Sequence, residues 1–380
     1  MENTRFVAKT LAGLESILAE ELVALGANNV LAHRRSVSFS GDKQTLYKAN
    51  LWTRTALYIL QPITRGRVQN KEDLYQLASS VAWEEIFGPD KSIIIHAVSN
   101  SLTLRHSKFT SLVVKDAIVD RFRKRIGLRP PVDRENADIY LDVHLMNEQC
   151  TISLNTSGKP LYIRGYEKQT GEAPLNDLLA AGMLSLSGWT HEQALFDPFC
   201  GSGTILIEAA MKASNIPAGI HRPGFSFMNL LDFNRREWKA IRTEALTHQK
   251  EVSLNLYGSE IDETTYKLLE SNIRRSKFSH QIKVKNEDFF NSSHTQKDGL
   301  ILTNPPYGER LKPDDIINFY AEIGNRLKFF YPNNKVCILS SNIQGIKNLG
   351  FQYDNNGEFL NGKIPVRLIS FSIYPDNSEV

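Results

Sequence analysis

Two stretches of this chain carry side chains whose types and spacing suit chemistry. The first is Ile301-Leu302-Thr303-Asn304-Pro305-Pro306-Tyr307, where an apolar run ends and four unusual residues follow. Asn304 offers a side-chain carbonyl as acceptor. Pro305 and Pro306 fix φ, lack an N–H and force an extended backbone, so the Pro305 carbonyl keeps a set direction outside any helix. Tyr307 adds a flat ring that can stack on another. Two acceptors beside an aromatic platform suit a planar group with an exocyclic amine, such as a nucleobase.

The second stretch is Leu195-Phe196-Asp197-Pro198-Phe199-Cys200-Gly201-Ser202-Gly203-Thr204. It reads as a strand end, a glycine turn and the start of a helix. Gly201 and Gly203 let the backbone approach a ligand closely. The turn is not a phosphate-binding G-x-x-x-x-G-K-[ST] loop, because no lysine follows. Nor is it G-x-G-x-x-G, because Leu206 stands where the third glycine belongs. Asp197 just before the turn would repel a pyrophosphate and welcome a cation. S-adenosylmethionine carries two suitable groups, a sulfonium and an amino-acid ammonium.

Further acids follow the next expected strands. Glu260 ends the strand around Leu254–Asp262, where an open α/β sheet places an acid on ribose hydroxyls. Asp262 is the second choice there, because it also sits at a helix N-cap position. Asp288, followed by Phe289, ends the strand Ile282–Lys285; an acid with an aromatic neighbour suits an adenine amino group and its ring. Ligand groups at successive strand ends predict a doubly wound sheet in the C-terminal half.

The N-terminal half reads differently. Phe6–Ala8 and Val37–Ser40 read as strands around a helix from Leu11 to Leu25, with Gly26 as its stop. Residues 43–58 and 71–87 read as helices, and Ile93–Val98 as a strand. A helix through about Lys124 follows, with Phe109, Leu112, Val113, Ala117, Ile118 and Phe122 on its expected buried face. Two strands, Ile139–Val143 and Gln149–Leu154, form an expected hairpin through Asn147. Arg164 to Glu172, polar with two glycines, reads as a domain link, and Ala173-Pro174-Leu175-Asn176 opens a helix to about Leu186.

The 380 residues are 41% hydrophobic and 23% charged, ordinary for a globular protein of two or three domains. No apolar run reaches the roughly 18 residues of a membrane span, and the first residues lack a signal-peptide layout. Cys150, Cys200 and Cys337 are too scattered for a metal site or a disulfide framework, so a cytoplasmic setting without bound metal is expected. Net charge is only +3, but residues 1–165 hold 22 Lys and Arg against 17 Asp and Glu, and the remainder 23 against 25. That split of +5 and −2 fits a polyanion-binding module beside a catalytic one. Cations at the end of the helix through Lys124 suit its macrodipole. Arg105, Lys108 and Lys115 lie earlier, where the dipole does not favour them, and are the candidate phosphate contacts.

The Asp197–Thr204 loop together with Asn304–Tyr307 resembles the class I S-adenosylmethionine-dependent methyltransferases that modify exocyclic amines of bases. The helix start at Ala173-Pro174-Leu175 resembles their cofactor-flanking helix. The basic half, with Lys115-Asp116-Ala117-Ile118, resembles a THUMP domain preceded by a small ferredoxin-like domain. Together these resemble the THUMP-containing guanine-N2 RNA methyltransferases, over nearly the whole chain.

The resemblance implies a ferredoxin-like domain at 1–60, a THUMP RNA-binding domain at 61–165 and a Rossmann-like methyltransferase domain, with helices on both faces of its sheet, at 166–380. It implies S-adenosyl-L-methionine held by Asp197, Phe199, Gly201, Gly203, Thr204, Glu260, Asp262, Asp288, Phe289 and Asn304. Asn304, Pro305, Pro306 and Tyr307 would present the acceptors and the stacking ring. Arg310 would hold a phosphate or the base edge, or else pair with Glu309 or Asp314. The tetrapeptide alone supports an adenine-N6 DNA methyltransferase equally, and the basic half favours RNA. Glu260 lies 57 residues beyond Gly203 rather than the usual 20 or so, leaving an insert of roughly residues 214–252. Such an insert resembles the bacterial large-subunit rRNA enzymes more than the tRNA ones, and its Arg222, Arg235 and Arg236 are further candidate RNA contacts.

Overall fold

The computed structural model describes residues 3–166, 175–292, 298–307 and 313–374. The chain divides into two compact units. One comprises Met1–Thr10, Leu18–Leu161 and Arg222–Glu244; the other comprises Leu11–Ile17, Tyr162–His221 and Ala245–Val380.

The first unit is built on strands β1 (Thr4–Lys9), β2 (Asn28–His33), β3 (Ser36–Gly41), β4 (Tyr58–Arg67), β5 (Ile93–Asn100), β6 (Ile139–Met146) and β7 (Gln149–Asn155). They form one seven-stranded sheet in the order β2-β3-β1-β4-β7-β6-β5. Only β5 and β6 pair in parallel. Helices α1 (Glu15–Ala24), α2 (Lys43–Trp52), α3 (Lys71–Ser79) and α4 (Ser107–Ile126) complete it, α1 beginning in the other unit. The central strand β4 was not legible as a strand. Pro62 argues against one, since it offers no ladder N–H. It is tolerated because the register with β7 shifts between Pro62 and Thr64.

The core of this half packs Val113, Val114, Ala117, Ile118 and Phe122 of α4 with Ile93, Leu141, Val143, Ile152, Trp83 and Phe87. Phe109 and Leu112, expected inside, are instead 45% and 44% exposed. They lie one residue, about 100° of helix rotation, from the stripe that is buried. Two neighbouring apolar stripes on one helix have the same period, and only packing selects between them.

Residues 222–244 come from the insert in the catalytic half, yet pack with the N-terminal unit. Phe227 stacks on Tyr47, and Trp238 meets both rings edge-on. Ser226 Oγ and Asn229 Nδ2 donate to the Asp138 carbonyl at 2.8 and 3.1 Å. Arg222, a candidate RNA contact, is buried and donates to the carbonyls of Pro160, Lys159 and Ser157. It ties backbone together and is not an exposed cation. Arg235 and Arg236 open α7 (Arg235–Thr247) on the exposed side.

The second unit holds α5 (Asp177–Leu186), β8 (Leu195–Asp197), α6 (Thr204–Ala213), β9 (Leu256–Glu260), α8 (Glu263–Ser276), β10 (Ile282–Asn286), β11 (Leu300–Thr303), α9 (Pro313–Phe330), β12 (Lys335–Ser340), α10 (Ile343–Lys347), β13 (Asp354–Asn361) and β14 (Ile364–Ser372). Its sheet runs β10-β9-β8-β11-β12-β14-β13. The first five strands are parallel, and β14 and β13 join antiparallel. From β8 the chain winds outward through β9 and β10, then returns to β11 on the other side of β8. The strand order therefore reverses between β8 and β11, which is where such sheets bind ligands.

The stretch read as a link begins as buried structure. Arg164 and Glu208 on α6 are both fully buried and pair at 2.7 Å. Tyr166 donates its hydroxyl to Asp177 at 2.6 Å. Residues 167–174, including the helix start at Ala173-Pro174, lie outside the described residues; Asn176 caps α5 by accepting from the Leu178 N–H. No described helix is long and apolar enough to cross a membrane.

Candidate active site

The glycine turn follows β8 directly. Gly201 and Gly203 adopt φ of 52° and 89°, the left-handed region that glycine enters without penalty. At Gly203 a Cβ would sit 2.5 Å from Leu269 Cδ1, so a side chain there would have to displace Leu269 as well as bear the strain of the positive φ. A Cβ on Gly201 would meet nothing within 4 Å, so its backbone faces open space. The turn is held from β9: the Cys200 N–H donates to the Ser259 carbonyl at 3.1 Å, and Ser259 Oγ to the Pro198 carbonyl at 2.9 Å. Asn272 on α8 donates to the Ser202 carbonyl. Thr204, the first residue of α6, is buried, and Phe199 is half-buried against Phe289 and Phe319.

Asp197 is almost completely buried. It accepts from Thr303 Oγ1 at 2.6 Å and from the Phe199 N–H at 3.3 Å. Burial pushes its carboxyl up to about 7, with Thr303 and the Phe199 N–H opposing and the Glu260 charge adding to the rise. A buried acid titrating near neutrality has a standing preference for a cation beside it. Thr303 also immediately precedes Asn304, so one hydrogen bond joins the acid of the first stretch to the tetrapeptide of the second. The sequence reading missed Thr303; its only signal was a hydroxyl in an otherwise aliphatic strand.

Glu260 is half-buried at the end of β9 and accepts from the N–H groups of Gly201 and Asp262, each at 3.0 Å. It thus braces the glycine turn as well as lining it. Asp262 caps α8, accepting from the Thr265 N–H at 2.7 Å. That bond holds its carboxyl below the usual range, and its observed role is the cap. Asp288 accepts from the Phe290 N–H and Asn291 Nδ2, one on each oxygen. Phe289 departs from expectation. It is 2% exposed and packs among Phe196, Phe199 and Tyr331. A side chain so placed is core and has no face left for an adenine ring; Phe290 beside it is half-buried.

Asn304 and Tyr307 are half-buried, Pro305 buried and Pro306 exposed. The Tyr307 hydroxyl donates to Asn304 Oδ1. An arriving amine would have to take that acceptor from the phenol. Arg310 lies outside the described residues, as does Glu309. In the other unit Arg105 and Lys108 are exposed, while Lys115 pairs with Asp116 at 2.6 Å. Among the described residues no cluster of His, Cys, Asp or Glu could hold a metal.

The donor set fits S-adenosylmethionine. A buried acid, a glycine backbone open to solvent and two further carboxylates stand at the ends of the adjacent parallel strands β8, β9 and β10.

Comparison with known proteins points the same way. Residues 164–354 match an RMKL-like methyltransferase domain, residues 68–155 a THUMP domain and residues 5–60 an RlmL ferredoxin-like domain. A Synechocystis protein named as an RNA methyltransferase is 34% identical over 97% of both chains. The ribosomal RNA large subunit methyltransferase K/L of Cellvibrio japonicus is 34% identical over 98% of this chain, which spans about half, 51%, of that relative. The crystal structure of the methyltransferase SMU.472 with SAH superposes with a TM-score of 0.86 at 25% identity, covering 100% of both chains.

Proposed function

This chain belongs to the RMKL-like methyltransferase family with ferredoxin-like and THUMP modules at its N-terminal side, and from that premise we propose that it methylates the exocyclic N2 amine of a guanine in RNA, with large-subunit rRNA as the favoured substrate. S-adenosyl-L-methionine is the methyl donor in this reading, and the setting is cytoplasmic. The division at residues 60 and 165 is carried into the proposal, with residues 222–244 counted in the N-terminal unit.

The observation that carries the reading is the hydrogen bond from Thr303 to Asp197 at the point where strand order reverses. It supports reading the ends of the adjacent strands β8 and β11 as one site, with Asp197 closing the first and the tetrapeptide following the second. When bound, S-adenosylmethionine supplies a methyl group activated by its positive sulfur. Asp197 would favour that cationic end, Glu260 the ribose hydroxyls and Asp288 the adenine edge. Asn304 Oδ1 and the Pro305 carbonyl would accept the two amine hydrogens. That holds the nitrogen and favours its pyramidal form, which is positioning plus electrostatic preorganisation. No strong general base is needed, because the nitrogen is more acidic once alkylated. Tyr307 would release Asn304 and stack on the base. A paired guanine must leave its stack, at a cost of a few kcal/mol. Arg105 and Lys108 would hold RNA phosphates, with exposed Phe109 beside them as a surface for an unpaired base.

The test is methyl transfer from labelled S-adenosylmethionine to total RNA and to DNA, followed by nucleoside analysis. N2-methylguanosine in large-subunit rRNA is expected. Label in tRNA alone would move the substrate, and N6-methyladenine in DNA would overturn the reading.

A further inference from the structure

Pro305 and Pro306 carry no N–H. The tetrapeptide therefore cannot fasten these two residues through backbone donors and must be held by its carbonyls. Tyr320, on α9 and fully buried, donates its hydroxyl to the Pro306 carbonyl at 3.4 Å, the long end of hydrogen-bond range. Asn342 Nδ2 donates to the Tyr307 carbonyl at 3.3 Å. Tyr320 Oη also lies 2.6 Å from Ser340 Oγ, at the buried end of β12. The Asn342 N–H donates to that same Ser340 oxygen at 3.0 Å.

The direction of this chain of bonds follows from elementary bookkeeping of hydrogens. A carbonyl only accepts, so the single hydrogen of Tyr320 goes to Pro306. Ser340 must then donate to Tyr320, and its oxygen is left to accept from the Asn342 N–H. Asn342 is itself fixed, because its Oδ1 accepts from the Gly345 N–H as the cap of α10. Gly345 has no room for a side chain: a Cβ there would lie 2.8 Å from the Tyr320 ring.

We propose that Tyr320, Ser340 and Asn342 are positioning residues for the methyl transfer, a brace that aims the Pro305 carbonyl at the target amine. The ring of Pro306 locks its φ, so the peptide carrying the Pro305 carbonyl differs from the next peptide by one soft torsion, the ψ of Pro306. Pinning the Pro306 and Tyr307 carbonyls removes that freedom. The brace rests on the exocyclic-amine reading of the tetrapeptide, but not on which nucleic acid carries the amine.

Tyr320→Phe keeps the buried ring and deletes one hydroxyl; Ser340→Ala deletes the group that orients it. Each is expected to lower kcat about tenfold to a hundredfold, in line with a small misplacement of a reacting group. KM for the nucleic acid and cofactor affinity by calorimetry should stay at wild-type values. The double variant should be no slower than the slower single one, because the two hydroxyls act as a unit. A kcat within about twofold of wild type, or cofactor affinity falling in step, would overturn the brace. If wild type labels DNA rather than RNA, the RNA reading fails and the same variants are scored on DNA. A crystal structure of Tyr320→Phe decides independently of any substrate: a Pro305 carbonyl in its original direction refutes the proposal, and a turned one supports it.

Discussion

The two sheets of this protein solve opposite problems with polar groups. In the catalytic unit the candidate carboxylates are occupied: Asp197 by Thr303 and Phe199, Glu260 by Gly201 and Asp262, Asp288 by Phe290 and Asn291. In the N-terminal unit Arg105 and Lys108 stand exposed, and no described carboxylate pairs with either. The first arrangement fixes positions before a ligand arrives. The second leaves the cationic groups at the surface, with Arg105 Nε donating to the Leu102 carbonyl, where a polyanion can reach them. Methyl transfer needs the former, because the reacting atoms must meet within fractions of an ångström. Phosphate binding tolerates the latter, because counterion release rewards charge more than geometry.

The contrast is most exposed to failure at Asn304. Asn304→Ala should reduce kcat by about a thousandfold, the loss seen when a preorganised polar group is deleted, with cofactor affinity nearly unchanged. Affinity falling as far as turnover would assign Asn304 to the cofactor instead. Stability should show the same asymmetry between the units. Arg164→Ala strands the fully buried Glu208 and should cost about 3–5 kcal/mol in denaturant unfolding. Arg121 donates to both oxygens of Glu84 but keeps some solvent contact, so Arg121→Ala should cost clearly less. Equal losses would erase that distinction.

Asp197 gives the comparison a pH axis. Its folded-state carboxyl sits near 7, above the ordinary 3.8 of an exposed one, so the folded protein binds more protons than the unfolded chain between those values. The contribution of Asp197 to stability is therefore full below about pH 4 and falls as pH rises through 7. Asp197→Asn should flatten that fall in unfolding titrations, and should weaken cofactor binding by about tenfold at pH 8. A wild-type profile without such a fall would remove the buried-acid account. The smallest effect is expected at the basic surface. Replacing Arg105 and Lys108 by alanine should reduce the salt dependence of RNA binding by about two counterions and leave kcat at saturating RNA unchanged. An unchanged salt slope would clear these residues of phosphate contact.

Legibility in the sequence also differed between the units. In the catalytic half the glycines at 201 and 203 and the prolines at 305 and 306 mark places where backbone conformation is dictated by residue type, so the strand ends could be ordered by eye. Phe289 failed there because an aromatic beside a strand end is equally suited to ligand and core. In the N-terminal half β4 was hidden by Pro62, and the face of α4 was read too wide, because Phe109 and Leu112 share the period of the buried Val113, Ala117, Ile118 and Phe122. Strands β12 to β14 went unread, although Asn342, the cap of α10 just after β12, bonds the Tyr307 carbonyl and Ser340 of β12 bonds Tyr320.

The sequence by itself determined the local chemistry: which backbone can approach a ligand, which peptide carries acceptors without donors, and which half bears the excess positive charge. These follow from residue types within a few positions of one another. The tertiary structure alone decided partnerships across long stretches of chain. It set Thr303 on Asp197, buried Arg164 against Glu208 and turned Arg222 from a candidate RNA contact into a backbone tie. It also packed residues 222–244, which lie within the catalytic half of the sequence, into the N-terminal unit. Local rules are silent on such pairs, because burial and hydrogen-bond satisfaction depend on which distant segments the folded chain brings together.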